Sequence, residues 1–203
     1  MISDTHGGHE DLGILEGDVL IHCGDLEGPR SSGGEAFRDI DNWFGRQRFE
    51  VILCIGGNHD FDLEWHFKFD DQPFENAIWL HERSVTLKGL TFYGASWVPD
   101  LSRWAFFADD PALRAAWARI PSDVDVLVTH TPPAGVLDVS SAGRVLGCAQ
   151  LARRLDHLSP QLHCFGHVHA SSGSLTRAAT TFANASSVNS QLEIARKPVV
   201  IDL

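Results

Sequence analysis

Along this chain, short apolar runs alternate with stretches whose apolar residues recur every three or four positions. Val19–Cys23, Val51–Ile55, Val124–Val128 and Leu162–Phe165 are dominated by β-branched and other apolar residues and are too short for helices, which predicts buried strands. Between the first two runs, Phe37, Ile40, Trp43 and Phe44 fall at helical spacing. Leu113, Trp117 and Ile120 do so before the third run, and Leu151 and Leu155 before the fourth. Strand, helix, strand in this order predicts a parallel or mixed sheet covered by helices. The rhythm changes at Ser84–Leu87 and Leu90–Tyr93, which flank Lys88-Gly89 as a hairpin would. Thr180–Ala183 and Val199–Ile201 read as further strands, so a second sheet is expected. No internal repeat, low-complexity tract or long linker divides the chain, and a single domain over residues 1–203 is expected.

The polar residues carry the functional signal through where they fall. Asp25 follows VLIHCG, Asn58 follows VILCIGG, His130 follows VDVLVT and His167 follows LHCFG. Each buried strand thus ends at a potential ligand, and sheets of this class bind ligands beyond the carboxyl ends of their strands. In chain order the set reads Asp4-Thr5-His6, Gly24-Asp25, Gly57-Asn58-His59-Asp60, His130 and Gly166-His167-Val168-His169. Any one fragment is common by chance; the ordered set, each member at a strand end, is not. Carboxylate, imidazole and amide oxygen together suit divalent Mn, Fe, Zn or Co rather than a thiolate zinc site.

Charge and composition narrow the picture. A formal net charge of -11 argues against a duplex nucleic-acid binder, whose affinity rests on Lys and Arg contacts to phosphate. If the substrate is itself a phosphate, bound cations must reverse the local field. Cys23, Cys54, Cys148 and Cys164 lack zinc-ligand spacing and read as buried thiols of a reducing cytoplasm. No apolar run approaches the roughly 18 residues of a membrane span, and the start of the chain lacks the basic-then-apolar pattern of a signal peptide.

The five motifs together resemble the calcineurin-like metallophosphoesterase superfamily, over a stretch from Asp4 to His169. Val85–Trp97, Thr129–Pro133, Arg144–Cys148 and Phe182–Ser186 resemble, more narrowly, its metallophosphoesterase-domain-containing, phosphodiesterase-like branch. In some members of that branch Gly replaces the first His of the last motif; here His167 is kept. The resemblance implies a four-layer α/β/β/α sandwich with two mixed sheets face to face and the metal site at the strand C-terminal rim. It also implies two divalent transition-metal ions, and the carboxylate and amide oxygen ligands, which moderate the affinity of the site, make Mn the preferred one. Asp4, His6, Asp25 and His169 would hold one ion. Asn58, His130 and His167 would hold the other, with Asp25 bridging and a bridging hydroxide attacking phosphorus. His59 would stabilise the phosphoryl charge or protonate the leaving alkoxide, and Asp60 would either orient His59 or be a solvated loop carboxylate.

The expected substrate is a small-molecule phosphoester, nucleotides included. Gly24-Asp25 continues as Leu26-Glu27-Gly28-Pro29, without the Asp and Arg of protein phosphatases, and the acidic balance disfavours a nuclease. The non-enzyme alternative is a metal-binding interaction scaffold of the same fold, whose mark would be lost ligands; none is lost. His22 and His163 precede ligand-bearing turns and could support them, as Asn184 and Ser186 could; His9, His66, His81 and His157 read as ordinary polar residues. Two aromatic-dense, loop-like stretches follow the rim, Phe61 to Phe74 and Trp97 to Phe107, and Trp97 or Phe107 is expected to flank a nucleobase. Only Met1, Ile2 and Ser3 precede Asp4, so the first strand is either very short or begins upstream of Met1.

Overall fold

The computed structural model describes residues 1–28, 35–69 and 72–203. Glu16–His22 (β1), Arg48–Cys54 (β2) and Ile78–Trp79 (β3) form a three-stranded sheet. Its strands are parallel throughout. The second sheet contains Arg83–Leu87 (β4), Leu90–Ala95 (β5), Val126–Thr129 (β6), Leu162–Phe165 (β7), Gly173–Arg177 (β8) and Thr180–Asn184 (β9). Its strand order is β4-β5-β6-β7-β9-β8. The hairpins β4–β5 and β8–β9 are antiparallel and close its two edges, while β5, β6, β7 and β9 run parallel. The expectation of two mixed sheets is therefore corrected, since only the larger one is mixed. The reason lies in the connections. Helices Glu35–Arg46 (α1) and Phe61–Lys68 (α2) lie between successive strands of the smaller sheet, and a parallel pair needs such a crossover where an antiparallel pair needs only a turn.

Asp110–Ala118 (α3) and Ala149–Leu155 (α4) serve the larger sheet. The Asp109 carboxylate caps α3 by accepting from the Ala112 N–H at 3.0 Å, with Pro111 in the first turn. Alternation along the strands divides the core. Ile52 and Cys54 of β2 join Phe37, Ile40, Trp43 and Phe44 of α1, whereas Leu53 and the following Ile55 join Phe92, Val126, Val128, Leu162 and Cys164 of the larger sheet. On that sheet's other face, Tyr93 and Leu127 meet Leu113, Trp117 and Leu151. All four cysteines are free and buried. Among the described residues no helix is long and apolar enough to cross a membrane.

Leu162–Phe165, both arms of the hairpin and Thr180–Ala183 lie within strands, and the other three buried runs fall largely in β1, β2 and β6, with Cys23, Ile55 and Val124-Asp125 just outside them. Val199–Ile201 does not, because Val199 exchanges backbone hydrogen bonds with Met1 alone and no ladder extends from it. Ile2 and Ser3 instead form single parallel bridges, to His22 and Ser186 respectively. The short segment before Asp4 is thus gripped on both sides. Of the stretch from Phe61 to Phe74, Phe61–Lys68 is helical rather than loop-like, residues 70–71 lie outside the described residues, and Phe61, Trp65 and Phe69 are 48, 56 and 64 % exposed while Leu63 is buried.

One core residue couples the fold to acid. His81 sits among Phe67, Trp79, Trp97 and Phe106, with its Nδ1 accepting from the Ser96 N–H at 3.2 Å. Burial, aided by Arg119 and Arg83, pushes its pKa from 6.5 down to about 3. Because the folded value is depressed, its contribution to stability is complete above 6.5 and is lost as pH falls toward about 3. His81→Phe should therefore flatten the pH dependence of stability in metal-free protein by up to about 1.4 kcal/mol per pH unit. Urea midpoints measured at pH 7 and pH 5 check this; an equal fall in variant and parent contradicts it.

Candidate metal centre

The rim is built from strand ends that leave regular structure through strained turns. β1 runs on through Cys23 and Gly24 to Asp25, β2 to Gly57-Asn58-His59, β6 directly to His130, and β7 through Gly166 to His167 and His169. Asp4, His6, Asp25 and His167 have φ of +54°, +46°, +54° and +68°. This left-handed region is uncommon for non-glycine residues and persists only where surrounding contacts impose it. Those contacts join one ligand loop to another: Asp4 N–H donates to Gly24 O at 2.9 Å, His6 N–H to Asp25 O at 3.1 Å, and Gly166 N–H to His130 O at 3.0 Å. Two glycines are dictated by crowding. A Cβ on Gly57 would lie 2.3 Å from Asp25 Oδ1, and one on Gly166 only 1.9 Å from Ser3 Oγ and 2.3 Å from Asp4 Oδ2.

The side chains converge. His169 Nε2 is 3.5 Å from Asp4 Oδ1, and His6 Nε2 is 3.7 Å from Asp25 Oδ2. That same Asp25 oxygen is 3.5 Å from His130 Nε2. Asn58 Oδ1 faces His130 Nε2 at 3.1 Å and His167 Nδ1 at 2.9 Å. The ligand atoms of Asp4, His6 and His169 lie within 4.8 Å of one another, as do those of Asp4, Asp25 and His130 and those of His6, Asp25 and His59. All seven expected ligands thus come together, with Asp25 common to both halves.

The electrostatics call for positive charge. Asp4 and Asp25 are 0 and 2 % exposed. Burial alone would raise the pKa of each, but neighbouring imidazoles outweigh it, chiefly His169 and His130 for Asp4 and His130 for Asp25, and hold both below the usual carboxylate range. In the other direction, Asp25 overcomes the burial of His130 and pushes its pKa up to about 9. Neither ring nitrogen of buried His6 has a hydrogen-bond partner. The His130 Nδ1–H donates to the Cys23 carbonyl at 2.9 Å, which turns Nε2 inward, where a cation that displaced its proton would find a lone pair, the arrangement common for metal-bound histidine. Buried carboxylates, an unpartnered imidazole and converging lone pairs fit divalent cations.

Comparison with known proteins agrees with this geometry. The family description "Calcineurin-like phosphoesterase" matches residues 1–171. The chain belongs to the calcineurin-like phosphoesterase family. Metallophosphoesterase domain-containing protein 1 of Homo sapiens is 31% identical over 228 residues, covering all of this chain and 69% of the relative. UPF0046 protein K07C11.7 of Caenorhabditis elegans is 32% identical over 218 residues, covering 98% of this chain and 72% of the relative. A solved crystal structure superposes with a TM-score of 0.63 over 90% of this chain and 88% of its own, at 15% identity, which shows the fold alone. Membership supports metal-dependent phosphoester hydrolysis in general.

The loops that carry the candidate ligands are braced by groups that the sequence leaves open. Thr129 donates its hydroxyl hydrogen to Thr131 O at 2.7 Å, so it accepts from His163 Nε2–H at 2.9 Å, and both bonds flank His130. His22 Nε2 lies 2.9 Å from Thr5 Oγ1, between Asp4 and His6. Asn184 Nδ2 donates to Val168 O at 2.9 Å, between His167 and His169. Asp60 is neither solvated nor bonded as an orienter of His59: it is fully buried, and its oxygens accept from the Glu27 and Gly57 amides at 2.9 and 2.7 Å. Burial and Asp25 together push its pKa up to about 7. Its place is as a brace between two ligand loops.

His59 lies at the edge of the cluster, its ring 4.7 Å from that of His6 and its N–H donating to Asp25 Oδ1 at 2.9 Å. The aromatic ring beside it is Trp104, at 4.5 Å. Trp97, expected there, instead donates its indole N–H to Glu82 at 2.7 Å and packs on Phe67, His81 and Phe106. Phe107 is half-buried and bridges Val98.

The crowding at Gly166 gives a direct test. Gly166→Ala should displace Ser3 and Asp4 and lower the affinity for divalent cations at least ten-fold without unfolding the protein. Calorimetric titration with Mn, alongside a circular dichroism spectrum, measures both; unchanged affinity would mean that the loop yields freely.

Proposed function

We propose that this chain hydrolyses small phosphate esters, nucleotides and cyclic nucleotides among them, at two divalent cations, with Mn as preferred activator. Asp4, His6, Asp25 and His169 would hold one ion, and Asn58, His130, His167 and again Asp25 the other. The observation that carries this reading is the Asp25 Oδ2 atom, which faces His6 Nε2 at 3.7 Å and His130 Nε2 at 3.5 Å, so one oxygen is available to both donor sets. When bound, such a pair of ions supplies Lewis-acid charge to the phosphoryl oxygens and lowers the pKa of water.

The chain's own residues do the rest. The rim gathers carboxylates and imidazoles in a site whose strained, cross-bonded loops fix their positions before substrate arrives. His59 is half-exposed and touches both His6 and, through its backbone, Asp25, so it sits where a substrate at the cluster would meet it. We assign it to the phosphoryl oxygens or to protonation of the leaving alkoxide. Four free, buried cysteines favour a reducing compartment, and we place the protein in the cytoplasm.

Protein reconstituted with excess Mn should carry two ions per chain by elemental analysis and hydrolyse bis(p-nitrophenyl) phosphate. One ion with full activity removes the binuclear reading; two ions without turnover leaves a metal-binding scaffold instead of an enzyme.

His59→Ala should lower kcat by about 10²–10⁴-fold with metal content unchanged. Asp25→Ala should lose metal and activity together. Near-normal turnover of His59→Ala on an ester with a poor leaving group contradicts the assigned role.

A further inference from the structure

The fold leaves a large aromatic surface in water right beside the reacting group. Trp104 is 40 % exposed, with its ring centroid 4.5 Å from that of His59 and tilted at 58°, so the two rings do not stack flat. Phe61, 48 % exposed, continues this surface, its ring 6.3 Å from Trp104 and nearly parallel at 29°. Exposed large apolar side chains are common singly, but a pair held against a candidate catalytic imidazole is a feature to account for.

The position of Trp104 is imposed by its neighbours rather than by its own burial. The Trp104 N–H donates to Leu101 O at 2.9 Å, and the Ala105 N–H to Asn58 O at 3.1 Å, the residue before His59. The Phe106 N–H donates to the Glu64 carboxylate of α2 at 3.0 Å. The Phe106 ring is fully buried against the backbone of Gly56, on the same turn. The loop that carries the indole is therefore bolted to the loop that carries Asn58 and His59. Such a ring is preorganised: it binds a planar partner without first being ordered.

We infer that Trp104, with Phe61 beside it, is a specificity-determining surface that stacks a planar ring carried by the leaving alcohol, as a nucleobase is carried on its sugar. The inference rests on the phosphoesterase reading, in which His59 faces the leaving group. A ring on that alcohol is brought next to His59, and the indole is the flat apolar face waiting there. Stacking tolerates any base, since every base has a π-face, so selection is for planarity rather than for a hydrogen-bond pattern.

The test compares adenosine 2′,3′-cyclic phosphate with glycerol 1,2-cyclic phosphate, which present the same five-membered cyclic diester with and without a planar ring. Wild-type protein should favour the adenosine ester, and Trp104→Ala should lower the ratio of the two kcat/KM values about ten-fold, the scale of one base–aromatic stack. Trp104→Phe should restore most of that ratio. A ratio within two-fold of wild type in Trp104→Ala overturns the inference, because a merely structural role would lower both rates alike. Calorimetric titration of Mn-loaded protein with adenosine 3′-monophosphate and with glycerol phosphate gives a readout independent of turnover. Trp104→Ala should weaken the first about ten-fold relative to the second, and equal effects on both overturn the inference. If wild-type protein hydrolyses neither ester, the phosphoesterase reading fails, and the two titrations still decide the role of Trp104.

Discussion

Two carboxylates buried inside the protein, Asp4 and Asp25, are the constraint around which the rest is arranged. An isolated buried charge is untenable, and these two stand close enough to raise each other's cost. The answer built into the chain is a set of imidazoles, from His6, His130 and His169, whose nitrogens turn toward the carboxylates, with His167 packed against His130 and facing Asn58. Imidazoles alone balance this poorly, since burial lowers the pKa of His6 and, to about 4, that of His167. Bound cations would resolve the conflict, and in the function proposed above they turn the acidic interior into a site with affinity for phosphate.

That electrostatic demand explains the backbone. Four of the seven candidate ligands occupy left-handed conformations, which costs stability, and the cost is borne because the loops hydrogen-bond to one another across the rim. The supporting groups are equally specific. Asp60 ties the Gly57 and Glu27 amides together, Asn184 holds the turn between His167 and His169, and Thr129 with His163 steadies His130. Little of this brace contributes apolar packing, so its role is to fix geometry.

Much of this was legible in the sequence because ligands interrupt apolar runs abruptly: VLIHCGD and VDVLVTH announce both a buried strand and what it delivers. The same logic found the β4–β5 hairpin through Lys88-Gly89. It failed where pattern and environment part company. β8 was missed because GSLTR is an edge strand with mostly exposed or half-exposed residues, and β3 because it has only two residues. α2 hid behind aromatics that face water rather than the core. The braces were undecided because they join residues far apart in sequence, 17 positions for His22 with Thr5 and 34 for His163 with Thr129. Trp97 was preferred over Trp104 because nearness to the rim along the chain says nothing about which way an indole turns.

The hydrogen bonds from the His167 amide to the Asp4 carboxylate, at 3.0 and 3.1 Å, join residues 163 positions apart. Closing a loop of that size carries a large entropic penalty that only an assembled core can offset. The ligand set is therefore complete only when both sheets are assembled, and topologies dominated by such distant pairings fold slowly. A cation that recognises this set selects the finished structure over every partly folded one. It would act as a clasp on the assembled structure, its stabilisation growing with the logarithm of its free concentration, and the chain would be most exposed to unfolding wherever divalent ions are scarce.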